Sequence, residues 1–144
     1  MDEIDVQILK MLQQDGRASH EEIGRQLNLS RPAIHQRVKK MESEGVIKRY
    51  RALIDWRKLG QDINVFIYVK MNSGKSQETA QKILEIRIPR TDVEEGYRVA
   101  GEWCLVFKVR SDTPQHISDF LDALWAVGGV AESSTIFILS PILE

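Results

Sequence analysis

The sequence predicts an α+β protein in two parts, an N-terminal winged helix-turn-helix over residues 1–60 and a ferredoxin-like βαββαβ domain over residues 61–144. Three observations carry this. Apolar residues recur at helical spacing three times before residue 45, with a tight turn between the second and third runs. Beyond residue 61, β-rich runs and amphipathic helical stretches follow in the order strand, helix, strand, strand, helix, strand. The charge also divides: residues 1–60 hold 12 basic and 9 acidic side chains, a net of +3, against 8 and 12, a net of −4, in the remainder.

The first helix is expected over about residues 2–14, where Ile4, Ile8, Leu9 and Leu12 share one face and Asp15-Gly16 ends the run. Ser19 and Glu22 form the S-x-x-E pattern of a capping box, so a short second helix begins there with Ile23 and Leu27 inward. Gly24 lets another helix approach closely. Asn28-Leu29-Ser30 is a tight turn. Ser30 caps a third helix that tolerates Pro32 in its first turn, buries Ile34, Val38 and Met41, and closes at Gly45. A short helix, a turn and a longer helix, here over about residues 20–39, match the motif whose second helix enters the DNA major groove.

The outward side of that helix tests the reading. At about 100° per residue, Pro32, Gln36, Lys39 and Lys40 point away from Ile34 and Val38, His35 and Arg37 lie on the flanks, and Ser30 and Arg31 stand at its start. These side chains can reach phosphates and base edges. Residues 46–55 are expected to form a β-hairpin or ribbon, a wing in which Val46, Ile47, Leu53 and Ile54 anchor and Lys48, Arg49 and Arg51 supply charge. A solvated helix face would also be rich in Lys and Arg. The motif, the basic face and the basic wing together favour DNA.

Residues 56–61 are poor in apolar side chains and contain Leu59-Gly60, so they are expected to be the linker. The run from Val65 to Val69 is a strand, with Phe66 and Tyr68 on one face and Val65, Ile67 and Val69 on the other. Asn72-Ser73-Gly74 is a turn. A helix capped by Ser76 should run to about Ile86 with Ala80, Ile83 and Leu84 inward. Strands are expected at 93–100 and 103–109, joined by a turn at Gly101-Glu102. A second helix starts near Asp112-Thr113-Pro114 with Ile117, Phe120, Leu121 and Leu124 inward, Gly128-Gly129 ends it, and a last strand covers 130–139. The sheet is apolar on both faces, and a partner chain is expected to cover the one the helices leave open.

Composition narrows the function. Of 144 residues 42% are hydrophobic and 28% charged, the mix of a globular protein. Apolar runs are strand-sized, well short of the roughly 20 residues of a membrane span. The start, Met-Asp-Glu-Ile-Asp, lacks a signal-peptide core, so a cytoplasmic location is expected. The single cysteine, Cys104, forbids an intramolecular disulfide, and His20, His35 and His116 lack ligand spacing, so neither metal nor cofactor is expected. No nucleophile, base and orienting group occur together, which argues against an enzyme.

With both halves read, the chain resembles the Lrp/AsnC family of leucine-responsive, or feast/famine, regulators. The likeness runs through Asp2-Glu3-Ile4-Asp5-Val6-Gln7-Ile8-Leu9, Asp15-Gly16-Arg17-Ala18-Ser19, Leu29-Ser30, Arg37-Val38-Lys39-Lys40-Met41-Glu42, Gly45-Val46-Ile47, Tyr97-Arg98-Val99-Ala100-Gly101-Glu102-Trp103 and Gly129-Val130. It implies a sequence-specific transcription regulator whose DNA binding or assembly responds to an amino acid or related metabolite. It implies a homodimer, with tetramers or octamers built from it. Gly101, Glu102, Trp103 and Cys104 would border the effector pocket, with Ser133, Ser134 and Thr135 contributed by a neighbouring subunit. Many members carry Asp where this chain has Cys104, and a thiol is a weak acceptor; Cys104 also reads as a small apolar filler. Two other readings share the architecture. One is a nucleoid-organising protein that wraps DNA. The other is a decarboxylase-like enzyme of tetrapyrroles, which would need His and Arg at its pocket, whereas this half has only His116 and few arginines.

Overall fold

The computed structural model describes residues 1–72, 74 and 76–143. Two compact units divide between Ile54 and Asp55. The first holds α1 (Glu3–Gln14), α2 (His20–Leu27) and α3 (Arg31–Ser43). The second holds a 3₁₀ turn (Trp56–Leu59), β1 (Ile63–Met71), α4 (Ser76–Leu84), β2 (Thr91–Arg98), β3 (Leu105–Ser111), α5 (Pro114–Ala126) and β4 (Val130–Phe137).

In the first unit the apolar stripes meet as expected. Ile8, Ile23, Ile34, Val38 and Met41 form the buried core, with Leu9, Leu12, Leu27 and Ile47 packed around it. Asp2 caps α1 through a full capping box with Asp5. The box expected at α2 is only half made. Ser19 accepts the Glu22 N–H, but the Glu22 carboxylate turns to Arg25 and Gln26. Asn28 then takes a left-handed conformation, φ 57°, and reverses the chain. Ser30 accepts the Ala33 N–H to start α3, and Gly45, φ 75°, stands just beyond its end.

The expected hairpin over 46–55 does not form; no strand occurs there. Between Ile47 and Ile54 there is no Gly, Asn or Asp to take φ > 0, and a two-residue hairpin turn needs one. Its start is instead tied to α3, where the Ile47 N–H donates to the Met41 carbonyl. Val46, Tyr50, Leu53 and Ile54 stay exposed.

The second unit is a four-stranded antiparallel sheet in the order β2-β3-β1-β4. Period-two alternation gives the sheet two faces. Val65, Ile67, Val69, Leu105, Phe107 and Val109 point to one and bury against Ile83 of α4 and Ile117, Phe120 and Leu124 of α5. Phe66 and Tyr68 point to the other. Leu84, expected inward, is 42% exposed, and Thr79, one turn before Ile83, is buried with it. The strands predicted at 93–100 and 103–109 begin and end about two residues away, because pairing continues into Thr91 and Ser111 and stops before Val99. The turn predicted at Asn72–Gly74 includes Ser73, which lies outside the described residues, as does Lys75 before α4.

The segment expected as a linker folds onto this unit. The Arg110 guanidinium lies 3.9 Å over the Trp56 ring, and buried Gln61 donates to the Arg90 carbonyl. A cation stacked on an indole and a satisfied buried amide outweigh the segment's low apolar content.

Close packing in the helix-turn-helix has a checkable consequence. A Cβ at Gly24 would sit 2.4 Å from the Leu29 carbonyl oxygen, which is backbone and cannot swing away. Gly24→Ala is expected to cost about 1–3 kcal/mol of stability by overpacking, read by urea denaturation. An unchanged midpoint would mean that α2 and α3 are not this close.

Candidate functional site

The first candidate surface is α3. Its core stripe and its Ser30 cap fix the rotation of the helix, and Arg31, Pro32, His35, Gln36, Lys39 and Lys40 are left exposed. Lys48, Arg49 and Arg51 are also exposed, on the irregular segment after the helix. Among the described residues, Arg31, Lys39, Lys40, Lys48, Arg49 and Arg51 make no ion pair with the protein. An array of unpaired cations and one amide on a helix is chemically suited to phosphates and base edges.

Arg37 differs from its neighbours. Its guanidinium donates to both Asp2 carboxylate oxygens at 2.9 and 2.8 Å and to Asp5 at 2.9 Å. It therefore ties α3 to the N-terminal cap of α1 through one guanidinium nitrogen. The Arg37 hydrogen bond, followed by the Asp5 N–H, holds the Asp2 carboxyl below its ordinary value, and Arg37 in turn holds its proton more tightly. The sequence carried a signal for this clamp, the pair Asp2 and Asp5 at capping-box spacing. His35 lies with its Nδ1 3.2 Å from Nδ1 of His20, a contact that spacing along the chain did not suggest.

The second candidate surface surrounds the turn between β2 and β3. Gly101 has φ 127°, a conformation that L side chains rarely adopt, and open space lies where a Cβ would be. The Val99 N–H donates to the Cys104 carbonyl and the Cys104 N–H to the Val69 carbonyl, both at 2.9 Å, which anchors the base of the turn to β1. Trp103 lies 5.9 Å from Tyr68 on the open face of the sheet, and the Lys70 ammonium stands 5.5 Å from its ring. Lys70 also pairs with Glu132 at 3.2 Å and lies 3.9 Å from Glu102. Cys104 is a free thiol, half-buried against the core.

The three residues expected from the last strand divide between the two faces of the sheet. Ser134 pairs with Tyr68 and shares the open face with Trp103. Ser133 and Thr135 pair with Val69 and Ile67 and so turn toward the helices. The sequence reading missed a cleft of about 370 Å³ beside the same turn, on the helix side. Gln77, Ala80 and Leu84 of α4 form one wall, Leu105 and Phe107 an apolar floor, and Tyr97 and Arg98 the approach to Gly101. Arg98 is exposed and without a partner among the described residues. Leu84 is exposed because it lines this cleft.

Fold and surfaces together define a DNA-binding regulator with a separate ligand-binding domain. Residues 1–42 match the AsnC-type helix-turn-helix domain, and residues 64–144 match the Lrp/AsnC ligand binding domain. The chain belongs to the Lrp/AsnC family of transcription regulators. It is 34% identical to the HTH-type transcriptional regulator FL11 of Pyrococcus horikoshii, over 96% of this chain and 89% of that one. The structure of LrpC from Bacillus subtilis superposes with a TM-score of 0.84 at 29% identity, covering 99% of this chain and 96% of that chain. The transcriptional regulator NMB0573 of Neisseria meningitidis, solved in complex with L-Met, has the same fold, with a TM-score of 0.88 at 24% identity over 100% and 93%. The relatives are regulators, not enzymes. Among the described residues no helix is long and apolar enough to cross a membrane.

The Arg37 clamp predicts an acid-dependent stability. Asp2 has a native pKa below its ordinary 3.8, so its contribution is complete above about pH 4 and is lost as pH falls through the native value. Asp2→Asn is expected to lower the melting temperature by a few degrees at pH 7, and the gap from wild type to close as the pH drops below about 4. A gap independent of pH would show that the carboxylate charge plays no part.

Proposed function

We propose that α3 reads operator DNA, with Gln36 and Lys39 at base edges and Ser30, Arg31, Pro32, His35, Lys40, Lys48, Arg49 and Arg51 along the phosphates. The supporting observation is the row of exposed, unpaired cations opposite the buried Ile34, Val38 and Met41. Arg37 supports the helix from behind. Cytoplasmic DNA is the partner this surface fits.

The effector in this reading is an amino acid or related small metabolite bound beside Gly101. Gly101 lets the ligand approach the backbone, Arg98 supplies a carboxylate partner, Glu102 an ammonium partner, and the cleft floor a place for an apolar side chain. Trp103 and Cys104 flank this region, and Ser133, Ser134 and Thr135 would be contributed by a neighbouring subunit. The methionine complex of the Neisseria regulator supports the choice of ligand class. The open sheet face, with half-buried Phe66, Tyr68 and Val106 and exposed Ile136, is suited to a second copy of the chain. Such a homodimer would set two copies of α3 on a near-palindromic site, and tetramers or octamers would follow from further contacts.

Two experiments test these readings. Gln36→Ala is expected to relax specificity at one operator position by about 1–3 kcal/mol, whereas Lys40→Ala or Arg49→Ala should weaken all sequences alike and flatten the salt dependence. Equal losses on operator and random DNA for all three would instead fit a DNA-wrapping protein. Gly101→Trp is expected to abolish the ligand-induced rise in melting temperature in a screen of the twenty amino acids while leaving operator affinity intact. A normal response in that variant would move the pocket elsewhere.

A further inference from the structure

The two histidines of the helix-turn-helix meet in a geometry that its packing does not require. His20 is the first residue of α2, and His35 follows the buried Ile34 in α3. Their rings are tilted by 51° with centroids 5.1 Å apart, and the two Nδ1 atoms face each other at 3.2 Å. As a hydrogen bond this is longer than the roughly 2.9–3.0 Å of a well-made one, and it lies at the surface, where water competes. As a chelating pair it is well spaced. Two imidazole nitrogens 2.0–2.1 Å from a tetrahedral ion stand about 3.3–3.4 Å apart.

We propose that His20 and His35 bind a borderline divalent cation, of the Zn²⁺, Ni²⁺ or Cu²⁺ class, through their Nδ1 atoms. Imidazole suits these ions, whereas Mg²⁺ and Ca²⁺ prefer oxygen. The ligands are largely prearranged. Ser19 and Ser30 fix the starts of the two helices, and fully buried Ile23 and Ile34 hold them together. Among the described residues no third histidine, cysteine or carboxylate completes a cluster, so water fills the remaining positions and the site is an exchangeable one. Each helix of the motif supplies one ligand. Occupancy therefore clamps α2 to α3 and places a dication beside the exposed Arg31 and Lys39.

The test titrates Zn²⁺ alone into chelator-stripped, full-length protein by calorimetry, alongside thermal melts. One ion per chain is expected, with Cu²⁺ binding more tightly than Zn²⁺, and Zn²⁺ should raise the melting temperature. Removing a ligand is expected to weaken binding by at least about tenfold, so His20→Gln and His35→Gln should each do so and abolish the melting shift. Their metal-free melts should match wild type, because neither ring is buried. His116→Gln is the control. His116 is the third histidine, bonded to Asp112 at 2.6 Å, and its loss should leave Zn²⁺ affinity unchanged. Absence of binding in the wild type overturns the assignment. So does wild-type affinity in both His20→Gln and His35→Gln, or a loss confined to His116→Gln.

Discussion

What the helix-turn-helix presents depends on how closely α2 can come to the turn before α3. The missing side chain of Gly24 lets the Leu29 carbonyl stand where a Cβ would collide. The Leu29 N–H closes the same contact by donating to the Gly24 carbonyl at 2.9 Å. With the two helices this near, Ile23 and Ile34 bury completely, and the rotation of α3 is determined. Its outward side must then be the one that carries Gln36, Lys39 and Lys40. The clamp from Arg37 to Asp2 and Asp5 adds a third support, from α1, to the same helix. The juxtaposition of His20 and His35 is a further product of this approach. It exists because the first residue of one helix and the fifth of the next are brought to the same edge of the motif.

The second unit rests on a different constraint, the strict alternation of β1 at the centre of the sheet. Alternate residues Val65, Ile67 and Val69 have no exposed surface, so every neighbour in register with them must face the helices. Phe66, Tyr68 and Lys70 must face away. That alternation divides the residues around the β2–β3 turn between two environments. Trp103 joins Tyr68 and Lys70 on the open face, while the cleft with Leu105 and Phe107 opens on the helix side. A ligand at the proposed Gly101 site would lie at the rim where both faces end.

Much of this was legible in the sequence, for a physical reason. Helical period and capping chemistry are local, so Ser19, Ser30 and the stripe from Ile34 to Met41 could be read directly, as could the order of strands and helices. The failures are cases where a distant partner decides. Residues 46–55 carry β-type residues but no turn, and no strand of their own unit pairs with them. Residues 56–61 look like a linker until Arg110, far along the chain, stacks on Trp56. Arg37 reads as one more cation on a basic face until Asp2 and Asp5 arrive beside it. Ser133, Ser134 and Thr135 are consecutive in a strand, and alternation alone divides them between the two faces of the sheet.

Pairing also explains how a chain with a net charge of −1 can present a surface for a polyanion. In the second unit the cations are largely spent on neighbours: Lys70 on Glu132, Lys108 on Glu94, Arg110 on Asp92 and Glu94, Arg90 on Asp112. Paired charges of this kind contribute little field beyond about 8–10 Å at ordinary salt. On and after α3 the balance is reversed. Arg37 is neutralised by Asp2 and Asp5, but Arg31, Lys39, Lys40, Lys48, Arg49 and Arg51 keep their charge toward solvent. A polyanion responds to charge within a screening length of its phosphates rather than to the sum over the chain. In the proposed DNA contact, the charge that matters is the local excess on α3 and the segment after it.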